Sequence, residues 1–152
     1  TGQLEIEARF AVEAAVLRRE FADCCFGEVD FFEGAKAAER FNLARITEQD
    51  FDTPVDDGDS AVLRELHFSL AQRHVPSFTV RSKDTLDTLE LAFLRTKLAG
   101  GAICKAVFKI TFPDDRRGKR IEVSCPNTIK FKRTTHTEDV YRYLTRWGLI
   151  TD

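Results

Sequence analysis

Methionine is absent from this 152-residue chain, tryptophan occurs once and tyrosine twice. The chain begins at Thr1, so either it has been trimmed or it is a segment of something longer. Thirteen phenylalanines beside so few tyrosines and tryptophans point to aromatic packing in a dry core. A sugar-binding or antibody-like surface would favour the amphipathic rings instead. Cysteine is sparse too. Cys24, Cys25, Cys104 and Cys125 form no C-x-x-C pair and have no repeated spacing, far from the density of a disulfide scaffold. A reducing compartment, the cytoplasm, is the expected location. Cys125 falls at an inward position of its strand, where a free thiol behaves as a small hydrophobe.

Long apolar runs are missing. Nothing approaches the roughly 20 residues that span a bilayer, and no leader-like stretch opens the chain. A soluble chain without a membrane partner is therefore expected. No G-x-S-x-G, P-loop, G-x-G-x-x-G or H-E-x-x-H occurs. Cys24, Cys25, Ser124, His136 and Asp139 are the residues from which a nucleophile, a base and an acid would be drawn, but nothing in their spacing assembles them. The four cysteines and three histidines lack zinc-ligand spacing. The acidic loop Glu48 to Ser60 fails as an EF-hand, because aligning Gly58 at position 6 puts Thr53 first and Arg64 twelfth. It reads as a solvated loop. No cofactor or metal is expected, and the balance leans away from an enzyme.

What is present is an ordinary globular mixture, 43% hydrophobic and 32% charged, of a length that favours one α+β domain. Its charge is unevenly spread. Residues 1–60 carry six basic and fifteen acidic residues, net −9; residues 61–152 carry seventeen and ten, net +7.

The periodicity places a short strand over Leu4 to Ala8 and a helix over about residues 8–22, on Phe10, Ala14, Leu17 and Phe21. Cys24 to Gly27 is a break. A helix from Glu33 to about Ile46 follows; the pair makes a poor helix-turn-helix because the region is acidic. Leu63, Leu66 and Leu70 predict a further helix from Ser60 to just before Pro76, with His67 and His74 bordering its stripe. Ser77 to Arg81 reads as a strand. Asp84 opens a helix that Gly100-Gly101 ends.

The clearest unit lies between Cys104 and Trp147. Lys105 to Phe112 alternates strictly, with Ala106, Phe108, Ile110 and Phe112 on one side. Ile121, Val123 and Cys125 continue that side in a second strand, and Ile129 and Phe131 in a third. The three make an antiparallel meander. A helix follows, with a Thr135/Glu138 capping box, a Val140, Leu144, Trp147 stripe and Gly148 as C′ residue. The expected architecture is thus an antiparallel three- to four-stranded sheet, a C-terminal helix packed on one face, and an N-terminal helical part.

The opposite sheet face carries the functional expectation. Lys105, Lys109, Arg120, Lys130 and Lys132 project from it, with Arg116, Arg117 and Lys119 on the adjoining loop and Arg133 nearby. Residues 105–133 hold nine basic and three acidic side chains, net +6. Such a surface can contact successive phosphates without reading bases, although lysines on a sheet face also serve solubility. Nucleic acid is the expected partner. The alternative is a protein-interaction or oligomerisation module whose acidic and basic halves dock within the chain, between copies or on a larger protein.

Overall fold

The computed structural model describes residues 11–29, 41–69, 77–91, 102–133 and 135–150. The chain divides into two compact units, Thr1–Ala38 and Glu39–Asp152. The expected strand over Leu4 to Ala8, most of the helix from Glu33, the Gly100-Gly101 stop, Leu70 and His74 lie outside the described residues.

In the first unit, helix α1 spans Ala11–Phe26 and so runs through the expected break at Cys24. Gly27 ends it at φ +67°, its N–H on the Asp23 carbonyl at 2.9 Å. That single bond from C′ back to C3 is the simple left-handed stop a glycine allows. Val12, Val16, Leu17, Phe21 and Phe26 are all exposed on this helix.

The second unit is built on a five-stranded antiparallel sheet, one or two strands larger than expected. Its strands are β1 (Ser60–Ser69), β2 (Ser77–Arg81), β3 (Ala102–Phe112), β4 (Asp115–Ser124) and β5 (Thr128–Lys130), in the order β2-β1-β3-β4-β5. Helix α2 (Thr85–Leu91) follows β2, capped by Asp84 Oδ1 on the Asp87 N–H at 3.2 Å. Helix α3 (Thr137–Arg146) follows β5. A 3-10 helix, Leu43–Thr47, stands where the end of the second expected helix should be, after Phe41 bridges to Ile150.

Ser60–Ser69 is a strand, not a helix, and the reason is local. The pairing with β3 slips between Leu63 and Glu65, leaving Arg64 as an extra residue. This bulge puts Leu63 and Leu66 three apart on one face, which imitates helical spacing. Past it the period is two: Leu66 and Phe68 are buried, while Glu65 and His67 take the other face.

Leu63, Leu66, Phe68, Ala106, Phe108, Ile110, Ile121 and Val123 line the inner face of the sheet and join Phe41, Leu43, Ile46 and the α3 stripe in one core. Trp147 lies 5.2 Å, ring to ring, from Phe108. At the end of α3, Gly148 (φ +70°) donates to the Thr145 carbonyl and Leu149 to the Leu144 carbonyl. These are the two bonds of a Schellman stop, and Leu149 is buried beside them. The start differs from expectation. His136 is the N-cap, no side chain caps the helix, and the Thr135/Glu138 box does not form. His136 is instead held by two carboxylates described below.

The β3–β4 hairpin turns on Pro113-Asp114, and Gly118 (φ +70°) absorbs a bulge opposite Thr111. A Cβ at Gly118 would stand 2.7 Å from Thr111 Oγ1, 2.8 Å from Lys109 Cε and 3.0 Å from the Ile110 carbonyl oxygen. Gly118→Ala is therefore expected to lower stability by about 1–3 kcal/mol, read as a lower urea midpoint at unchanged m-value. An unchanged midpoint would show that this bulge relaxes without strain.

Candidate nucleic-acid interface

Register fixes which side chains meet on the outer face. One row across the strands is Thr79, His67, Lys105, Ser124 and Thr128. The next is Arg81, Glu65, Val107, Glu122 and Lys130, and a third pairs Lys109 with Arg120. Lys105, Lys109, Arg120 and Lys130 thus share one face, as expected. The face is not uniformly basic, however, because Glu65 and Glu122 sit in its middle row.

These carboxylates divide the cations into two classes. Glu122 lies 3.3 Å from both Lys105 Nζ and Arg120 Nη1, so those two are already paired. Glu65 is buried and takes Arg81 Nε at 2.7 Å and the His67 ring on its other oxygen. Arg81 and His67 together hold its carboxyl well below the ordinary value, at about 2. Thr79 Oγ1 stands 3.2 Å from His67 Nδ1, so its hydroxyl donates there when Nε2–H donates to Glu65. Val107, between the two carboxylates, is only 2% exposed. In the middle of the face the cations are therefore already paired with Glu65 or Glu122, although Arg81 and Arg120 keep most of their surface in solvent.

The remaining cations behave differently. Lys109, Arg116, Arg117, Lys130 and Lys132 are exposed, and among the described residues none of them makes an ion pair. Arg116 and Arg117 belong to β4 itself and not to a loop, just past the hairpin turn. Lys132 follows the end of β5. Arg133 is exposed and engaged in a contact of its own. Lys119 is a correction: it shares the inner side with Ile121 and Val123, is 7% exposed, and lies 3.6 Å from Asp115. A buried, paired ammonium cannot meet a phosphate. The phase of Ile121 and Val123, run back two residues, already puts Lys119 inward.

The hairpin that carries Arg116 and Arg117 is pinned at its turn. His136 stacks on Phe112 with ring centroids 4.0 Å apart and planes 5° from parallel. Its Nε2 is 2.8 Å from Asp114 Oδ1 and its Nδ1 3.2 Å from Asp139 Oδ2. The turn and the start of α3 are thereby tied through one ring.

The acidic loop does not neutralise the sheet. Asp56 binds Arg142 and Arg146 of α3, each at 2.8 Å, and Arg146 above all holds its carboxyl below the usual carboxylate range. Tyr143 donates its hydroxyl to Asp59, and Trp147 Nε1 donates to the Pro54 carbonyl at 2.9 Å. Asp50 pairs with Arg45. The loop expected to be solvated is thus docked on α3, an intrachain meeting of acidic and basic segments. Its aspartates and those of α2 leave a cleft of about 640 Å³ lined by Asp50, Asp52, Asp59, Asp84, Asp87 and Glu90. That cleft has the wrong sign for an anion.

Cys104 and Cys125 are both exposed, so the buried surroundings expected for Cys125 are not found. No His, Cys, Asp or Glu cluster among the described residues is arranged to hold a metal ion, and no described helix is long and apolar enough to cross a membrane. Arg81, Glu65 and His67 were not foreseen on this face; the alternation of Glu65 and His67 with Leu66 and Phe68 is the signal that finds them. No family model, curated protein or solved structure matches this chain.

Proposed function

We propose that the domain binds nucleic acid along the phosphate backbone, through Lys109, Arg116, Arg117, Lys130 and Lys132. The observation that carries the reading is the sorting of charge. These five exposed cations have no ion pair among the described residues, while Asp50, Asp56 and Asp59 of the acidic loop are engaged with Arg45 and α3. Five phosphate contacts give salt-sensitive, sequence-tolerant affinity, with a dissociation constant on the order of micromolar at physiological salt. Base reading has little support, since the outer rows present no Phe, Tyr or Trp ring and no amide fork to a base edge, and the His67 ring is held by Glu65.

Glu122 restrains this surface by occupying Lys105 and Arg120. In an anisotropy titration with a duplex oligonucleotide, Glu122→Gln is expected to bind about three- to tenfold more tightly than the natural chain, as two further cations join the contact. Unchanged or weaker binding by that variant would mean the phosphates lie elsewhere.

A second reading, a protein-interaction or oligomerisation module, is favoured by the exposed apolar side chains of α1. It calls for a mass that rises with concentration in sedimentation, and for no affinity toward the oligonucleotide.

A further inference from the structure

We infer that Cys104 and Cys125 form a reversible dithiol–disulfide site, closed by a low-molecular-weight disulfide. The inference is independent of the nucleic-acid reading.

The β3–β4 register runs without interruption from Ile110/Lys119 to Lys105/Ser124. Beyond that pair β4 ends at Ser124 and Cys104 is the extra residue of a bulge against β1, but one further β3–β4 backbone bond still sets Cys104 against Cys125. The Cys125 N–H donates to the Cys104 carbonyl at 3.0 Å, so the two backbones are still paired there. Directly opposed residues of an antiparallel pair put their side chains on the same face, with Cα atoms about 4.5–5.5 Å apart. That spacing falls inside the roughly 4.4–6.8 Å over which a disulfide closes without backbone movement. Both residues are exposed. Cys104 Sγ makes a weak bond to the His67 carbonyl at 3.4 Å, and Cys125 Sγ one to the Phe41 carbonyl at 3.5 Å. Giving up those contacts frees both sulfurs to meet.

The chemistry balances with one oxidant. One cysteine, as its thiolate, attacks the small disulfide and forms a mixed disulfide, and half of the oxidant leaves as a thiol. The second cysteine sulfur then displaces the other half. One S–S bond forms within the protein and one breaks in the oxidant. The two protein thiols lose two electrons and two protons, which leave on two small thiols. An exposed disulfide of this kind is of the labile class that a reducing pool reopens.

Cys24 and Cys25 are adjacent in α1 and serve as the internal comparison. The test incubates the folded chain with oxidised glutathione, quenches with acid and maps unreduced peptides. The expected product is a Cys104–Cys125 linked peptide, at least about tenfold more abundant than from the same chain in concentrated urea, where the strand pairing is gone. The Cys24→Ser/Cys25→Ser double variant should form it equally well. In Cys104→Ser, Cys125 should instead retain glutathione. Glutathione retained on Cys125 of the natural chain would overturn the inference. So would equal yield with and without urea, or linkage of either residue to Cys24 or Cys25.

Discussion

Changing Lys109, Lys130 and Lys132 to glutamate in a single chain is expected to weaken duplex binding by ~100-fold or more at about 50 mM salt. Three of five phosphate contacts are lost, and three repelling charges take their place. The three side chains are exposed and make no ion pair among the described residues. The fold should therefore survive, with a stability change within about 0.5 kcal/mol per site. Lys83→Glu is the matched control: an equally exposed lysine between β2 and α2, away from the hairpin. It should alter affinity less than about threefold, through the weak, screened field of the whole chain. Anisotropy for binding and a urea midpoint for folding separate the two effects. If the triple variant binds like the natural chain, the hairpin and β5 are not the contact.

The largest effect on stability is expected at Trp147. Its ring is 3% exposed, lies 5.2 Å from Phe108 of the sheet and stacks 6.1 Å from Tyr143, and its N–H reaches the Pro54 carbonyl. One side chain thus joins α3, the sheet and the acidic loop. Truncation to alanine opens a cavity in all three and is expected to lower stability by about 3–5 kcal/mol, much of the roughly 5–15 kcal/mol a domain has in total. Trp147→Phe keeps most of the packing and loses the bond to Pro54, for about 1–2 kcal/mol. Chemical denaturation of both variants checks the order. Equal loss from both would assign the effect to the hydrogen bond and not to packing.

Where the chain alternates strictly or carries one clean stripe, its structure was legible. Phe108, Ile110 and Phe112 marked the inner face of β3, and Val140, Leu144 and Trp147 the buried side of α3, before any coordinates. Where a bulge interrupts the period, the reading failed. Arg64 stretched Leu63 and Leu66 to helical spacing and hid β1, and with it the placement of Glu65 and His67 on the outer face. The Gly118 bulge had a subtler effect. It shifts the β3–β4 register by two, from Phe112/Asp115 to Ile110/Lys119, and so decides that Glu122 sits between Lys105 and Arg120. Alternation alone sorts side chains onto faces; only register says which charges touch. The list of outward lysines was therefore readable, and the division into paired and unpaired cations was not. Lys119 is the exception, since its inward phase was there to be read.

The same distinction explains the acidic loop. A run of aspartates with proline and glycine has no period, and nothing local marks Asp56 and Asp59 as partners of Arg142, Arg146 and Tyr143, more than eighty residues away. That pairing keeps the loop's charge away from β3 to β5.

The salt dependence of duplex binding tests the central claim most directly. Five phosphate contacts predict a line of log affinity against log salt with a slope of about −4 to −5. A slope near zero, or no binding in low salt, would contradict a surface that works by neutralising phosphates.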